Sequence, residues 1–272
     1  MSWRRSAYLV LTTADPSKKA EAALSAEAEK KFRPRQAGDP IAPDRPARPP
    51  RPLLATPNSV PRRGLGSIEG RVALLHALAH IEFNAIDLAF DMALRFADDV
   101  HQLGEDASTF VLDWFRIGAE EARHFLMVET RLGALGSCYG ALTAHGALWE
   151  AAETTSDNVL ARLVIAPMVL EARGLDVTPE MARRLRIAKD PKSAIVLDRI
   201  FEDEIGHVGT GVRWFSRLCD ASGLDPQPTF RRLVEERFRG KLKPPFNQAA
   251  RAAAGMPDAL YANWNEVCDD DR

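Results

Sequence analysis

Two Glu-x-x-His motifs constrain this chain more than any other feature of its sequence. The first pairs Glu121 with His124, and the second pairs Glu204 with His207. Residues three apart lie on one face of a helix, so each Glu and its His can reach the same metal ion. Two such pairs, with one more Glu from each of two other helices, form the carboxylate-bridged di-metal site of a four-helix bundle.

Both motifs lie on the apolar face of a predicted amphipathic helix. Helical steps around the second motif meet only Leu197, Ile200, Phe201, Val208, Gly211, Trp214, Phe215 and Leu218. The same steps around the first motif meet Phe110, Trp114, Ile117, Gly118, Phe125, Val128 and Leu132. The opposite faces are charged, and we assign Glu120 and Asp203 to them. An amphipathic helix buries its apolar stripe, so both motifs should point into a core.

Glu82 and Glu171 each interrupt the apolar stripe of another predicted helix. A buried carboxylate costs several kcal/mol unless it is paired. One hypothesis is that metal ions neutralise several of these inward acids at once. The alternative is that the acids pair with Arg or His on neighbouring helices. Pro167, one turn before Glu171, should kink its helix. That kink either opens the site to substrate or only reflects packing.

A polar stripe runs along another side of the first long helix, at His76, His80, Asn84, Asp87 and Asp91. His76 and His80 have the spacing of a His-x-x-x-His metal pair. His80 and Glu82 are two residues apart, however, and point roughly 200° from one another around the helix. We therefore expect His76 at the surface, and His80 at the surface or behind the ligands.

Helix-capping patterns predict an all-α protein. The expected helices are a surface helix at 17–32 and long helices from Ile68 to about Ala97, from Ser108 or Thr109 to about Leu132, from Leu148 or Ser156 to Gly174, and from Pro191 to about Cys219. A short helix should start at Thr178-Pro179, and another should span 229–239. We divide the chain into an N-terminal helix and arm at 1–66, a four-helix bundle at 67–220 and a C-terminal helical extension at 221–272.

The arm is rich in proline. Nine of the 18 prolines fall between Pro34 and Pro61, which predicts an extended segment without a regular ladder. Leu53, Leu54 and Val60 would anchor such an arm on the bundle, and a flexible linker is the alternative. Its arginines are either simply solvated or offer a phosphate or RNA contact, and no aromatic platform accompanies them to favour the contact.

Composition narrows the class of protein. The 272 residues carry a net charge of −2, which implies no particular partner. Three cysteines suggest reduced thiols rather than a disulfide framework. No stretch approaches the roughly 20 apolar residues of a membrane span, and the apolar run near the N-terminus is too short for a signal peptide. We therefore expect a cytoplasmic protein without membrane contact.

The inward acids and imidazoles form two half-sites, and we call them the six centre residues. They are Glu82 with Glu121 and His124, and Glu171 with Glu204 and His207. They predict two metal ions about 3.5–4 Å apart, bridged by Glu121 and Glu204. Four carboxylates balance two divalent ions, and oxygen and imidazole ligands without thiolate suit Fe or Mn.

The pattern Glu…Glu-x-x-His…Glu…Glu-x-x-His resembles the ferritin-like di-iron superfamily. More closely, the chain resembles the bacterial ferritin-like family catalogued as domain-of-unknown-function 455. The resembling stretches are Gly66–Arg71, His76–Glu82, Glu120–Phe125, Leu170–Asp176, Asp203–Val208 and Leu242–Asn247. The likeness extends from about Arg45 to Tyr261, and no departure touches the six centre residues. By site pattern alone, a more distant relative is the di-iron hydroxylase that modifies a hypermodified adenosine in tRNA.

These features together predict a ferritin-like bundle holding two Fe ions, or Mn with Fe. The expected function is an oxidoreductase that activates O₂ to hydroxylate or oxidise a small or nucleoside-like substrate, with an external electron donor. The expected state is a monomer or small homo-oligomer. The alternatives are a metal-handling protein that oxidises or stores iron, and a non-catalytic bundle whose acids pair with protein cations or hold one inert metal.

Overall fold

The computed structural model describes residues 2–26, 32–55 and 64–262. Within these ranges the protein is all-α, as predicted, and its only β pairing is one bridge between Leu54 and Ala144. The helices are α1 Trp3–Thr12, α2 Pro16–Ser25, α3 Ile68–Gln102, α4 Ala107–Ala134, α5 Ala147–Glu153, α6 Val159–Leu163, α7 Ala172–Ile187, α8 Pro191–Ala221, α9 Pro226–Arg237 and α10 Gln248–Ala253. A π-helical segment, Val164–Glu171, joins α6 to α7, and a 3₁₀ turn, Asp258–Leu260, follows α10.

Side-chain caps set the starts of the long helices. Ser67 caps α3 and Asp190 caps α8, each with an oxygen that accepts a backbone N–H, as predicted. The cap of α4 is Asp106, so its assignment to Ser108 or Thr109 is wrong. The Asp106 carboxylate accepts the backbone N–H of both residues. Its charge also interacts favourably with the positive end of the helix dipole.

Helix α7 contains a proline in its interior. The prediction that a short helix begins at Thr178-Pro179 is wrong, because α7 runs through both residues to Ile187. Pro179 has no N–H, so the carbonyl of Leu175, four residues earlier, loses its usual helical partner. The side-chain amide of Asn247 donates to that carbonyl at 3.1 Å. A contact from the C-terminal segment therefore stabilises a helix that the local sequence would end.

Pro167 lies in the π-helical segment that leads to Glu171. The distortion predicted from this proline takes the form of a widened helix, a form that is frequent at functional sites. Gly211 of α8 faces the proline ring. A Cβ added at Gly211 would lie 2.6 Å from ring carbons of Pro167. Glycine at this position therefore lets α8 approach the π-helical segment closely.

Several distant segments cover the polar stripe of α3, and the prediction that His76 lies at the surface is wrong. The expected surface helix at 17–32 corresponds to α2, with 27–31 outside the described residues. Lys19 of α2 is fully buried and pairs with Asp87 of α3. His76 is 1% exposed rather than at the surface, and its Nε2 accepts the backbone N–H of Gly140 at 2.9 Å. Both polar groups are buried because each meets a partner from a distant segment.

The described part of the arm is held on the helices by polar contacts. Arg95 of α3, for example, donates to the carbonyl oxygen of Pro43 at 2.9 Å. Leu53 and Leu54 are 58% and 64% exposed, so these two side chains are not the anchors that the sequence analysis expected. Val60, the third expected anchor, lies outside the described residues.

One hydrophobic core takes side chains from all three predicted domains, including Trp3, Phe110 and Phe230. The helix expected at 229–239 is α9. The domain division at residues 66 and 220 stays a prediction.

Helix α3 is long and apolar enough to cross a membrane by length and composition alone, with a mean hydropathy of 1.3 in its most apolar window. However, 67% of that window is buried inside the protein. This burial is typical of a core helix.

Candidate metal centre

Four helical segments bring the six centre residues together in the interior. The contributions are Glu82 from α3, Glu121 and His124 from α4, Glu171 from the end of the π-helical segment, and Glu204 and His207 from α8. Four of the six are at most 1% exposed, whereas Glu204 is 8% exposed and Glu171 is partly exposed. The centre is therefore sealed on the α3–α4 side and nearest to solvent beside Glu171 and Glu204.

Glu121 lies between the two histidines. Its Oε2 is 3.3 Å from His124 Nδ1, and its Oε1 is 3.0 Å from His207 Nδ1. The two imidazole centroids are 5.7 Å apart. A carboxylate whose two oxygens face different imidazoles has the arrangement expected of a bridge between two ions.

Glu82 and Glu204 complete a tight group around Glu121. Glu82 Oε2 lies 3.4 Å from His124 Nδ1, and Glu204 Oε2 lies 3.7 Å from His207 Nδ1. One ligand atom from each of Glu82, Glu121, His124 and Glu204 falls within 4.8 Å of the others, so these four residues could hold a metal ion. The sequence assigned Glu204 to the other half-site, and its place in this group agrees with a bridging position.

Several buried atoms of the centre have no hydrogen-bond partner among the described residues. They are Oε2 of Glu82, Oε1 of Glu121, Oε2 of Glu171, Oε2 of Glu204 and Nδ1 of His207. An unsatisfied buried polar atom costs about 1–3 kcal/mol and calls for an explanation. Metal coordination would satisfy all of these oxygen and nitrogen atoms at once, so the residues present fit a metal centre.

The outer nitrogens of the histidines are paired crosswise between α4 and α8. His124 Nε2 lies 3.1 Å from Asp203 Oδ2, and His207 Nε2 lies 2.9 Å from Glu120 Oε2. Arg199 in turn donates two hydrogen bonds to Asp203, at 2.8 and 2.9 Å. A carboxylate on Nε2 fixes the imidazole tautomer and directs Nδ1 inward, as in many metal sites.

The assignment of Glu120 and Asp203 to solvent-facing surfaces is therefore wrong. Each acid immediately precedes the Glu of one motif, and each reaches the His of the other motif. Helical periodicity gave their direction on an isolated helix, but α4 and α8 pack closely enough for both acids to meet a histidine at the edge of the core. An acid directly before the Glu of both motifs is the sequence signal that could have identified them.

His80 belongs to a different set of contacts. It is buried, and its ring nitrogens lie 2.8 Å from the hydroxyl of Tyr139 and 3.2 Å from the carbonyl oxygen of His145. His80 therefore neither lies at the surface nor hydrogen-bonds to the six centre residues.

Comparison with known proteins places the chain in a family. One family model matches residues 12–262, which is most of the sequence. The chain belongs to the family described as Protein of unknown function (DUF455). It is also similar to an uncharacterized protein of Haemophilus influenzae, with 42% identity over 208 residues that cover 76% of this chain and 72% of that protein. No solved structure matches it.

Three carboxyl groups of this DUF455 protein have raised pKa values. Burial, followed by the negative charge of Glu121, raises the pKa of Glu82 to about 8 and that of Glu171 to about 7. The same two causes raise the pKa of Glu204 well above its ordinary value. Without metal, these acids tend to keep their protons.

The two histidines of the DUF455 centre also have raised pKa values, whereas the pKa of Glu121 is lowered. Burial alone would lower the pKa of His124, but its hydrogen bond to Glu121 and the nearby carboxylate of Glu82 raise it to about 12. Burial also opposes the charged form of His207, yet the charge of Glu121 raises its pKa well above the usual range. Burial would raise the pKa of Glu121, but the nearby charge of His207 and the hydrogen bond from His124 lower it. The metal-free centre therefore holds protons that metal ions would displace.

Proposed function

We propose that this protein is a ferritin-like carboxylate oxidoreductase that holds two Fe ions, or Mn with Fe, and activates O₂ to hydroxylate or oxidise a small or nucleoside-like substrate. The position of Glu121 is the observation that supports this proposal best. Its two oxygens face the Nδ1 atoms of two histidines from different helices. A two-ion site would use both halves of that arrangement.

The charges of the centre favour two divalent ions. The four glutamates supply four negative charges when ionised, and two divalent ions would balance them. Within the described residues, the ion-pair partners of Glu82, Glu121 and Glu204 are His124 and His207 rather than Lys or Arg. Carboxylate and imidazole ligands suit Fe and Mn, whereas a structural zinc site usually contains thiolate.

A bound iron pair would supply the electrons and the open coordination positions that O₂ reduction requires. The residues of the chain have separate roles. Asp203 and Glu120 hold the Nε2 protons and aim both Nδ1 lone pairs inward. The sealed α3–α4 side excludes bulk water, while partly exposed Glu171 marks the side from which a small substrate would approach.

The substrate, an external electron donor and a monomeric or small homo-oligomeric state are further parts of the proposal. Its ferritin-like character is supported by the four helical segments that supply the six centre residues. The DUF455 family name assigns no activity, so the proposal depends on the chemistry of the centre.

Metal loading tests the proposal directly. Purified metal-free protein is incubated with Fe(II) without oxygen and desalted, and its metal content is measured by mass spectrometry. We expect about two ions per chain. On exposure to air, the loaded protein should consume O₂ and develop near-ultraviolet absorption. Fewer than about one ion per chain would instead favour a non-catalytic bundle, and assembly into a large iron-storing particle on size-exclusion chromatography would favour metal handling.

A further inference from the structure

A cavity lies on the side of α3 opposite the metal centre. This arm cavity has a volume of about 240 Å³, and its walls come from the arm, α3, and the segment leading into and including α5. His80 and Asn84, which line it, each lie two residues from Glu82. They therefore point roughly 200° away from Glu82 around the helix. The six centre residues do not line this cavity.

The walls of the arm cavity are fixed by hydrogen bonds. Trp149 Nε1 donates to the carbonyl of Asp44 at 3.3 Å, which ties α5 to the arm. Arg48 Nη2 donates to Asn84 Oδ1 at 2.7 Å, which ties the arm to α3. A preformed cavity lowers the ordering cost of binding.

Arg48 supplies positive charge to the wall of the arm cavity. Two cations, Lys19 and Arg48, share one carboxylate, Asp87. Arg48 Nη1 lies 2.9 Å from Asp87 Oδ2, but neither atom makes a well-formed hydrogen bond among the described residues. The Arg48 side chain is 29% exposed.

Other polar groups of the arm cavity are already engaged. His80 Nε2 donates to the carbonyl of His145 at 3.2 Å, which leaves Nδ1 to accept the hydroxyl proton of Tyr139 at 2.8 Å. Trp149 Nε1 is bonded to the arm. The rings of Tyr139 and Trp149 remain as apolar contact surface, so a ligand would be recognised by a charge at one end and a flat apolar body.

We propose that the arm cavity binds a small aromatic carboxylate, with its carboxylate on Arg48 and its ring against Trp149 and Tyr139. Guanidinium pairs strongly with carboxylate, and Arg48 already lies over the Trp149 ring at 5.8 Å. Ligand pockets usually have volumes of about 300–1,000 Å³, so this smaller cavity suits a ligand of one or two rings.

Acidic residues at the mouth restrict the charge of that ligand. Glu153 is neutralised by Arg45 at 2.6 Å, but Glu150, which also lines the cavity, is exposed and has no ion-pair partner among the described residues. A second negative charge on the ligand would meet the field of Glu150. A monoanionic carboxylate therefore fits better than a phosphate dianion.

Calorimetric titration of the full chain with benzoate, benzamide and benzylamine tests this inference. The three probes have nearly the same shape, and only benzoate is an anion. We expect benzoate to bind one to one with a Kd below about 1 mM, and the other two to bind at least about tenfold more weakly. The result should be the same with and without metal, because the site is separate from the centre and independent of its proposed function.

Three variants localise the binding. Trp149→Leu should weaken benzoate binding about fivefold or more through loss of the ring contact. Glu150→Gln should strengthen it about threefold, because it removes a repelling charge without touching a buried contact. Arg232→Gln is the control, because its exposed ion pair with Glu236 lies on α9, which does not line the cavity, and it should change binding less than about twofold.

Equal binding of benzamide and benzoate, tighter binding of benzylamine, or no saturable benzoate binding up to about 10 mM would each overturn the proposal. Weaker benzoate binding by Glu150→Gln would also overturn the assignment of charge in the cavity.

Discussion

Helix α3 carries buried carboxylates on two sides, and the two sides neutralise them differently. On the arm side, Asp87 pairs with Lys19 and Arg48, and Asp91 pairs with Arg95 and Arg162. On the other side, Glu82 meets Glu121 and His124. The first side has four cationic side chains for two acids.

The second side has the opposite balance. There Glu82 and the three other glutamates of the metal centre share two histidines, and several of their oxygens have no hydrogen-bond partner within the described structure. Buried acids matched by Lys and Arg need no additional cation, so we assign these acids a structural role. Buried acids that mainly face one another need an additional cation, and that difference separates a candidate metal centre from an ordinary ion-pair network.

The largest expected effect is on metal content. Glu121→Gln removes the carboxylate between the two histidines, so anaerobic iron loading should fall from about two ions per chain to fewer than one. The matched control is Asp87→Asn, which removes a buried carboxylate from the arm side and should leave metal content unchanged. Two ions in the Glu121 variant, measured by mass spectrometry, would break the comparison.

A large loss of stability is expected on the arm side. Asp91→Asn leaves the fully buried guanidinium of Arg162 without its ionic partner. Removing one member of a buried pair costs about 3–5 kcal/mol, and we expect that decrease in the free energy of unfolding, measured in urea. Glu180→Gln is the control, since its ion pair with Arg183 is exposed and its loss should leave stability nearly unchanged. If the Asp91 variant has the same free energy of unfolding as the unchanged protein, the buried Arg162 does not depend on its ion pair with Asp91 for stability.

The next effect concerns metal affinity. Asp203→Asn removes the carboxylate that holds His124 Nε2, and changes to such outer partners usually weaken metal binding about 10- to 100-fold. Competition with a chelator would measure the change, while the number of ions bound at saturation should stay the same. Exposed Glu202 beside it provides the control, as Glu202→Gln. Equal affinities for the two variants would mean that the crosswise contact does not position the imidazole.

The smallest expected effect is on the pH dependence of stability. Folding raises the pKa of Glu82 to about 8 and of Glu171 to about 7, above roughly 4.3 in the unfolded chain. Their stabilising contribution is therefore complete below about pH 4 and is lost as pH rises toward 8. The pKa of His124 is raised to about 12, so its contribution to stability is likewise lost as the pH rises above about 6.5.

Metal-free protein should accordingly lose unfolding free energy as the pH rises from about 5 to about 8. Loaded protein should lose less, because metal replaces the protons. Urea unfolding at several pH values measures both. Identical slopes for metal-free and loaded protein would contradict the assignment of these acids to a metal centre.

Much of the fold could be predicted from local sequence. The starts of α3 and α8 follow from Ser67 and Asp190, because a cap depends on a few neighbouring residues. The continuation of α7 through Pro179 could not be predicted in this way. It requires Asn247, 72 residues from the carbonyl oxygen that its side chain reaches.

The sequence by itself determined the all-α class and predicted the inward direction of the six centre residues, because hydrophobic periodicity indicates the buried side of a helix. The tertiary structure decided which inward acids meet a protein cation. Lys19 and Asp87 are 68 residues apart, and Arg162 and Asp91 are 71 apart, so no local pattern could pair them. It also decided that Glu120 and Asp203 each reach the opposite histidine, because that contact exists only where α4 and α8 pack together.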